Sequence, residues 1–301
     1  RKTTQWETSG ESLSEANANR YCRPMTLSLY IQPLSTVTGP QAVEGDAIRL
    51  GGSMAYANLF ALVMREGGKV ISREMASAEE MNGALSDLPG ELVDEGAAQW
   101  ANLQKVHAPL ACGDRTIRLD QPQVMGILNV TPDSFSDGGT FMDDEAAMQE
   151  QAAAMHEAGA AIIDIGGEST RPGAAAVWEG DEIKRVTPAI ERCVAMGAAV
   201  SVDTRRPAVM EAALAAGAHI INDVSALLHD KRSLEVAGVS GLPVVLMHAP
   251  SSGKDPHKGN GYGNVVTDTF DWLKTRIDEV VEAGFEREKI IVDPGLGFGK
   301  S

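Results

Sequence analysis

The sequence predicts an α/β fold of the TIM-type (β/α)8 barrel class, represented by its first six βα units and preceded by a small α+β domain. Three observations carry this. Six short, nearly continuous apolar runs recur after residue 120: VMGILNV (124–130), AIIDIGG (161–167), AAVSVDT (198–204), HIINDV (219–224), PVVLMH (243–248) and KIIVDPG (289–295). Unbroken apolar strands belong to a parallel sheet covered on both faces, whereas half-exposed strands alternate. Helix-forming stretches such as DDEAAMQEQAAAMHEAGA, RPAVMEAALAAGA and VVTDTFDWLKTRIDEVVEAG separate them, which implies right-handed βαβ units. Finally, a polar residue closes every run: Asn129, Glu168, Asp203, Asn222 with Asp223, His248 and Asp293. A doubly wound sheet gathers its site at one switch point, while a ring of polar strand ends fits a barrel mouth.

The elements before the barrel are read in chain order. Residues 1–24 are polar, lack Met at the start and hold few large apolar groups, so this leader is expected to be disordered, with Met25 as the natural start and the leader as upstream translation. A small α+β domain of unreadable role is expected over 25–109. It opens with a strand in MTLSLYIQPL, and SMAYANLFALVMREGG suggests a helix ended by Gly67-Gly68. KVISREM is strand-like. Ser77 three residues before Glu80 forms a capping box for a helical stretch interrupted around Pro89-Gly90. The barrel region, 110–301, begins with a Gly-centred hairpin at Gly113.

Bulk properties exclude several functions. With 26 Lys+Arg against 42 Asp+Glu and a formal charge of -16, the chain repels nucleic-acid phosphates and anionic lipid, and no basic patch reverses the sign. Cys22, Cys112 and Cys193 are scattered and odd in number, as free thiols of a reducing compartment would be. The six histidines show no HExxH pair or other close zinc spacing. His248 alone stands at a strand end facing the expected site. No apolar run approaches the roughly 20 residues of a membrane span, so a cytoplasmic location is expected.

Asp203, Asn222 and Asp293 each follow an apolar strand and should point into the mouth. Two carboxylates and an amide suit a flat heterocycle with an amino group and ring N–H donors. Any one of them alone could equally cap the next helix; three in a ring favour a site. Two loops flank the mouth. VTPDSFSDGG, after Asn129, carries Pro132, Asp133, Asp137, Gly138 and Gly139; GGESTRPGAAAV carries Thr170, Arg171 and Pro172. Loops of this composition could close over the mouth, and their Ser, Thr and Arg donors suit a phosphate-bearing substrate.

Both loops resemble the two signatures of the dihydropteroate synthase family, GILNVTPDSFSDGG and GGESTRPGA. SVDT, HIINDV, VLMH and DPGLGFGK follow in the family's order, and the resemblance covers about 113–301. It implies condensation of 6-hydroxymethyl-7,8-dihydropterin diphosphate with p-aminobenzoate, assisted by Mg2+, in folate biosynthesis. By the same resemblance, Asp203, Asn222 and Asp293 hold the pterin edge, while Met247 and the Gly297-Phe298 segment pack near its rings. Asn129 stands near the magnesium and diphosphate. Phe135 and Asp137 form the p-aminobenzoate pocket with Thr170, Arg171 and Pro172, and Asp203, Asp137 and Arg171 are the catalytic residues. A homodimer of the full-length parent and inhibition by sulfonamides are implied as well. Lys300 matches the family's GFGK ending, without an assigned chemistry.

A complete barrel needs about 250 residues, more than the chain supplies from Gln121 onward. The family's seventh and eighth βα units, with a Ser-Arg-Lys and an Arg-x-His segment, have no counterpart, so Ser301 is expected to be an artificial end and the chain to be inactive or aggregation-prone alone. Two other readings compete. A corrinoid-linked methyltransferase acting on a methylated folate shares the Asp…Asn…Asp manner of holding a pterin but lacks both loop signatures; a non-catalytic pterin-binding subunit would account for the extra N-terminal domain.

Overall fold

A computed structural model of the chain describes residues 27–38, 47–52, 54–131, 141–169, 177–249 and 261–300. The chain divides into two compact units, one of Arg1–Gly51 with Ala55–Lys105 and one of Gly52–Met54 with Val106–Ser301. The expected leader lies outside the described residues.

In the first unit, β1 (Leu27–Pro33), β5 (Leu59–Glu66) and β6 (Lys69–Ser77) form an antiparallel sheet in the order β1-β5-β6. A second small sheet joins β2 (Thr36–Thr38), β4 (Ala55–Ala57) and β3 (Ile48–Arg49) in the order β2-β4-β3. Helices α1 (Met81–Ser86) and α2 (Gly90–Gln104) follow. Leu29, Phe60, Leu62, Met81 and Leu92 make the core, with Phe60 edge-on to Trp100 at 4.9 Å. Gln99 of α2 ties down the edge strand: its amide donates to the Leu29 carbonyl at 2.6 Å and accepts from the Ile31 N–H at 3.0 Å.

The helix expected over SMAYANLFALVMREGG is instead β4 and β5. Phe60 and Leu62 face the main core while Ala61 and Val63 join Tyr30 on the other side, so both faces of β5 are covered. Its apolar run therefore lost the alternation that distinguishes a strand from a buried helix. Gly67 and Gly68, at φ 54° and 85°, are the two-residue hairpin turn into β6 rather than a helix cap. The capping box is present: the Ser77 N–H donates to Glu80 Oε2 at 2.9 Å, and the Glu80 N–H to Ser77 Oγ at 3.3 Å.

The second unit begins with the hairpin β7 (Leu110–Cys112) and β8 (Arg115–Ile117), turning at Gly113. Six parallel strands follow: β9 (Met125–Asn129), β10 (Ile162–Gly166), β11 (Ala199–Asp203), β12 (Ile220–Asp223), β13 (Val244–Met247) and β14 (Ile290–Asp293). They pair in chain order, with β9 and β14 as the outer strands of the described sheet. The helices between them are α3 (Phe141–Glu157), α4 (Glu179–Ala195), α5 (Pro207–Ala215), α6 (Lys231–Ser240) and α7 (Val265–Glu282).

The strand period of two sorts the side chains. Leu128, Ile163, Ile165, Val200, Val202, Ile221 and Leu246 point outward and pack with Val186, Ile190, Met210 and Val280 of the helices. On the concave side, Ile162, Ala199, Ile220 and Val245 pack on Leu110, Cys112 and Ile117, so the hairpin plugs the N-terminal end of the arc. Above this apolar floor the inward positions turn polar, at Asp164 and Ser201 and then at Asn129, Asp203, Asn222 and Asp293. The parallel sheet with helices covering one face is the TIM-type architecture predicted.

Candidate functional site

Strand pairing sets the site. Gly166 of β10 lies opposite both Asn129 of β9 and Asp203 of β11. Asp203 lies opposite Asn222, and Met247 opposite Asp293. Five residues singled out from the sequence thus share one rim at the C-terminal ends of adjacent strands. A Cβ on Gly166 would lie 3.5 Å from Asp203 Oδ2 and 3.7 Å from Asn129 Oδ1, so both oxygens border the space that this glycine leaves open.

Acceptors dominate the rim. Burial pushes the Asp203 carboxyl well above the ordinary carboxylate range, and the nearby charges of Asp164, Asp223, Glu182 and Glu168 add to it. Asp164, 5% exposed and one pleat below, is also raised by burial; its Oδ2 accepts from Asn222 Nδ2 at 3.0 Å. Nothing at the strand ends marked Asp164, because it sits inside the apolar run AIIDIGG. The signal was its parity: it is two residues before Gly166 and so on the same face.

Asp223 follows the opposite parity. Fully buried, it accepts from the Ser225 N–H at 2.7 Å, Ser225 Oγ at 2.6 Å and the Leu227 N–H at 3.0 Å, and so holds the loop in which Ala226 and Leu227 take positive φ. It is a loop anchor, outside the mouth.

The segment after β14 is tightly specified. Asp293 Oδ1 accepts from the Gly295 N–H at 2.7 Å, and the Phe298 N–H donates to the Gly295 carbonyl at 3.0 Å. Lys300 Nζ reaches the carbonyls of Gly295, His248 and Phe298 at 3.0, 3.1 and 3.2 Å, giving this lysine the role of a clip. Gly295, at φ 66°, is required: a Cβ there would lie 2.2 Å from the His248 carbonyl oxygen. His248 is buried edge-on to Trp272 at 4.9 Å, and burial followed by the Lys300 charge lowers its pKa to about 4, so it stays neutral.

Glu168 departs from the ring of strand-end groups. With Glu182, Thr204, Arg205 and Arg206 it forms an ion-pair cluster at the rim. Arg206 donates to Glu168 at 2.7 Å and also pairs with Glu182; Arg205 pairs with Glu168 at 3.2 Å, and Thr204 Oγ1 donates to Glu182 at 2.7 Å. Burial works to raise Glu168, but hydrogen bonds from Arg206 and the Val177 N–H, with both arginine charges, hold it below its usual value. Glu182 and Arg206 are spread over two elements, and their pairing had no marker in the sequence.

Phe135, Asp137, Thr170, Arg171 and Pro172 lie outside the described residues. Among the described residues no group of three or more His, Cys, Asp or Glu side chains could hold a metal ion by itself, and no helix is long and apolar enough to cross a membrane.

Comparison with known proteins matches residues 125–301 to the pterin binding enzyme family. The dihydropteroate synthase of Escherichia coli is 44% identical over 187 residues, 62% of this chain and 66% of that protein. A probable bifunctional folylpolyglutamate synthase/dihydropteroate synthase of Halobacterium salinarum is 41% identical over 263 residues, which is 87% of this chain and 32% of that protein. The chain thus spans less than two thirds of these relatives. Among solved structures, Xanthomonas albilineans dihydropteroate synthase with 4-aminobenzoic acid superposes with a TM-score of 0.59 at 46% identity, covering 64% of this chain and 68% of that one.

Proposed function

Since the chain belongs to the pterin binding enzyme family, we propose that it carries the pterin-binding part of a dihydropteroate synthase, which joins 6-hydroxymethyl-7,8-dihydropterin diphosphate to p-aminobenzoate with release of diphosphate. The observation that carries this is the single rim formed by Asn129, Asp203, Asn222, Met247 and Asp293. The similar Xanthomonas albilineans enzyme has been solved with 4-aminobenzoic acid and with 7,8-dihydropteroate, which supports the choice of substrates.

Asp203, Asn222 and Asp293 accept from the ring N–H and amino donors of the pterin, a directional set that is costly to leave unpaired. Met247 and the Gly297-Phe298 segment cover the rings. Loss of diphosphate leaves positive charge at the methylene carbon conjugated to the ring, so the main task is electrostatic rather than the making of a nucleophile. The arylamine is nucleophilic as it stands. Asp203 faces the developing cation, and the family resemblance assigns p-aminobenzoate to Phe135, Asp137, Thr170, Arg171 and Pro172, with Asp137 and Arg171 catalytic beside Asp203. A homodimer is the assembly proposed for the whole protein.

Asn129 fits Mg2+. It offers one amide oxygen beside Asp203 Oδ2 across the opening at Gly166, and a hard cation that keeps its waters needs few protein oxygens when it is bound mainly through phosphates. When bound, the ion offsets charge on the departing diphosphate.

In the protein that bears this chain, Asp203→Asn should cut p-aminobenzoate-dependent diphosphate release by about 100-fold, the scale for removing one preorganised electrostatic group. Near-normal turnover would break the assignment. Methyl transfer from a methylated folate in place of diphosphate release would favour the corrinoid-linked alternative.

A further inference from the structure

Asp164 lies on the concave face of β10, opposite Ser201 of β11 and below the rim. It is 5% exposed, and its Oδ2 accepts from Asn222 Nδ2 at 3.0 Å across β11. Its Oδ1 is buried with no well-formed hydrogen bond; the fully buried Ser201 hydroxyl opposite is near enough to lower the Asp164 pKa against burial but likewise makes no well-formed bond. A buried carboxyl with an unsatisfied oxygen costs stability rather than adding it. Placed directly under a ring of acceptors, such a group is expected to serve the ligand site.

The Asn222 amide presents its nitrogen to Asp164, the arrangement that an ionised carboxyl, which can only accept, holds in place. The reversed amide would set its oxygen against the carboxylate at the same separation. Held this way, Asn222 turns Oδ1 away from the floor and joins Asp203 and Asp293 as an acceptor. A ligand edge bearing an amino group and ring N–H donors satisfies that set, whereas one bearing a carbonyl in place of the amino group meets acceptor against acceptor.

We propose that Asp164 is a positioning residue that fixes the Asn222 amide as an acceptor and thereby makes the site select a 2-amino ring over its 2-oxo counterpart. This rests on the pterin-site reading above. The role is distinct from contact with substrate: Asp164 acts through Asn222, and its own loss should be felt as a loss of discrimination.

The test is binding of two probes, 6-hydroxymethylpterin and its 2-oxo analogue 6-hydroxymethyllumazine, to the protein that bears this chain and to its variants by titration calorimetry. Wild type should prefer the amino probe. Asp164→Ala should weaken pterin binding about 10-fold, the value of one well-placed hydrogen bond, and lower the preference by a similar factor. Asp164→Asn, isosteric and bearing both a donor and an acceptor, should keep the fold while lowering the preference. In an Asn222→Ala background, Asp164→Ala should add little, since the residue through which it acts is gone. An unchanged preference in both variants, an equal loss for both probes, or a full Asp164→Ala effect in the Asn222→Ala background would overturn the proposal. Wild type binding neither probe would instead overturn the pterin site itself.

Discussion

Two acidic groups sit on the same barrel rim and differ in their partners, although burial raises Glu182 of the first group as it raises both members of the second. Glu168 and Glu182 are met by Arg205, Arg206 and Thr204, and the ion pairs span the loop after β10, the segment after β11 and helix α4. Asp164 and Asp203 face the concave side with no cation among the causes that shift them: burial raises both, and for Asp203 neighbouring acids raise it further. The first group is satisfied by the protein and acts as a brace. The second is left short of donors, which is what a site for a donor-rich ring requires and what a folded core ordinarily avoids.

Breaking the brace should have the largest effect. Arg206 is mostly buried and touches both Glu168 and Glu182, so Arg206→Leu leaves buried Glu182 without a cation and Glu168 with Arg205 alone. Removing one partner of a buried ion pair costs about 3–5 kcal/mol, and chemical denaturation should register a loss of that size. A loss below about 1 kcal/mol would mean that the cluster is an ordinary surface ion pair and that the contrast with the concave acids is false.

The contrast was only half visible in the sequence. Six apolar runs ending in polar residues located the strands and the rim, because a parallel strand covered on both faces leaves a continuous run, as in β10 to β13; the outer β9 and β14 keep the run but expose Ile127 and Val292. The same rule concealed β5, whose run LFALVM is covered on both faces too and was read as helix. Parity separates Asn222 from Asp223, and Asp164 from its apolar neighbours, but only once the register is known. The pairing of Arg206 with Glu168 and Glu182 depends on three separate segments meeting, which no local pattern encodes.

Asp203→Asn should move stability the other way. Neutralising a carboxyl held above its usual range by burial and by Asp164, Asp223, Glu182 and Glu168 removes repulsion that the fold carries at neutral pH. The variant should gain on the order of 1 kcal/mol in thermal or denaturant unfolding while losing turnover. Loss of both together would place Asp203 with the brace.

The smallest effect, and the sharpest separation, comes from pH. Glu168 has a folded pKa below its reference of 4.5, so its contribution is present above that value and is lost as pH falls through the folded pKa. Asp203 has a folded pKa above its reference of 3.8, so the folded state gains from its protonation, and that gain is lost as pH rises from 3.8 through the folded value. Stability of the wild type minus that of Glu168→Gln should therefore fall toward zero as pH drops below about 4.5, whereas wild type minus Asp203→Asn should start near zero in acid and become negative as pH rises above about 4. Denaturant titrations of the three proteins from acid to neutral pH measure both differences. If they fall in the same direction, Glu168 and Asp203 titrate alike and the contrast fails; opposite slopes show that Glu168 is held ionised by its arginines while Asp203 has no such partner.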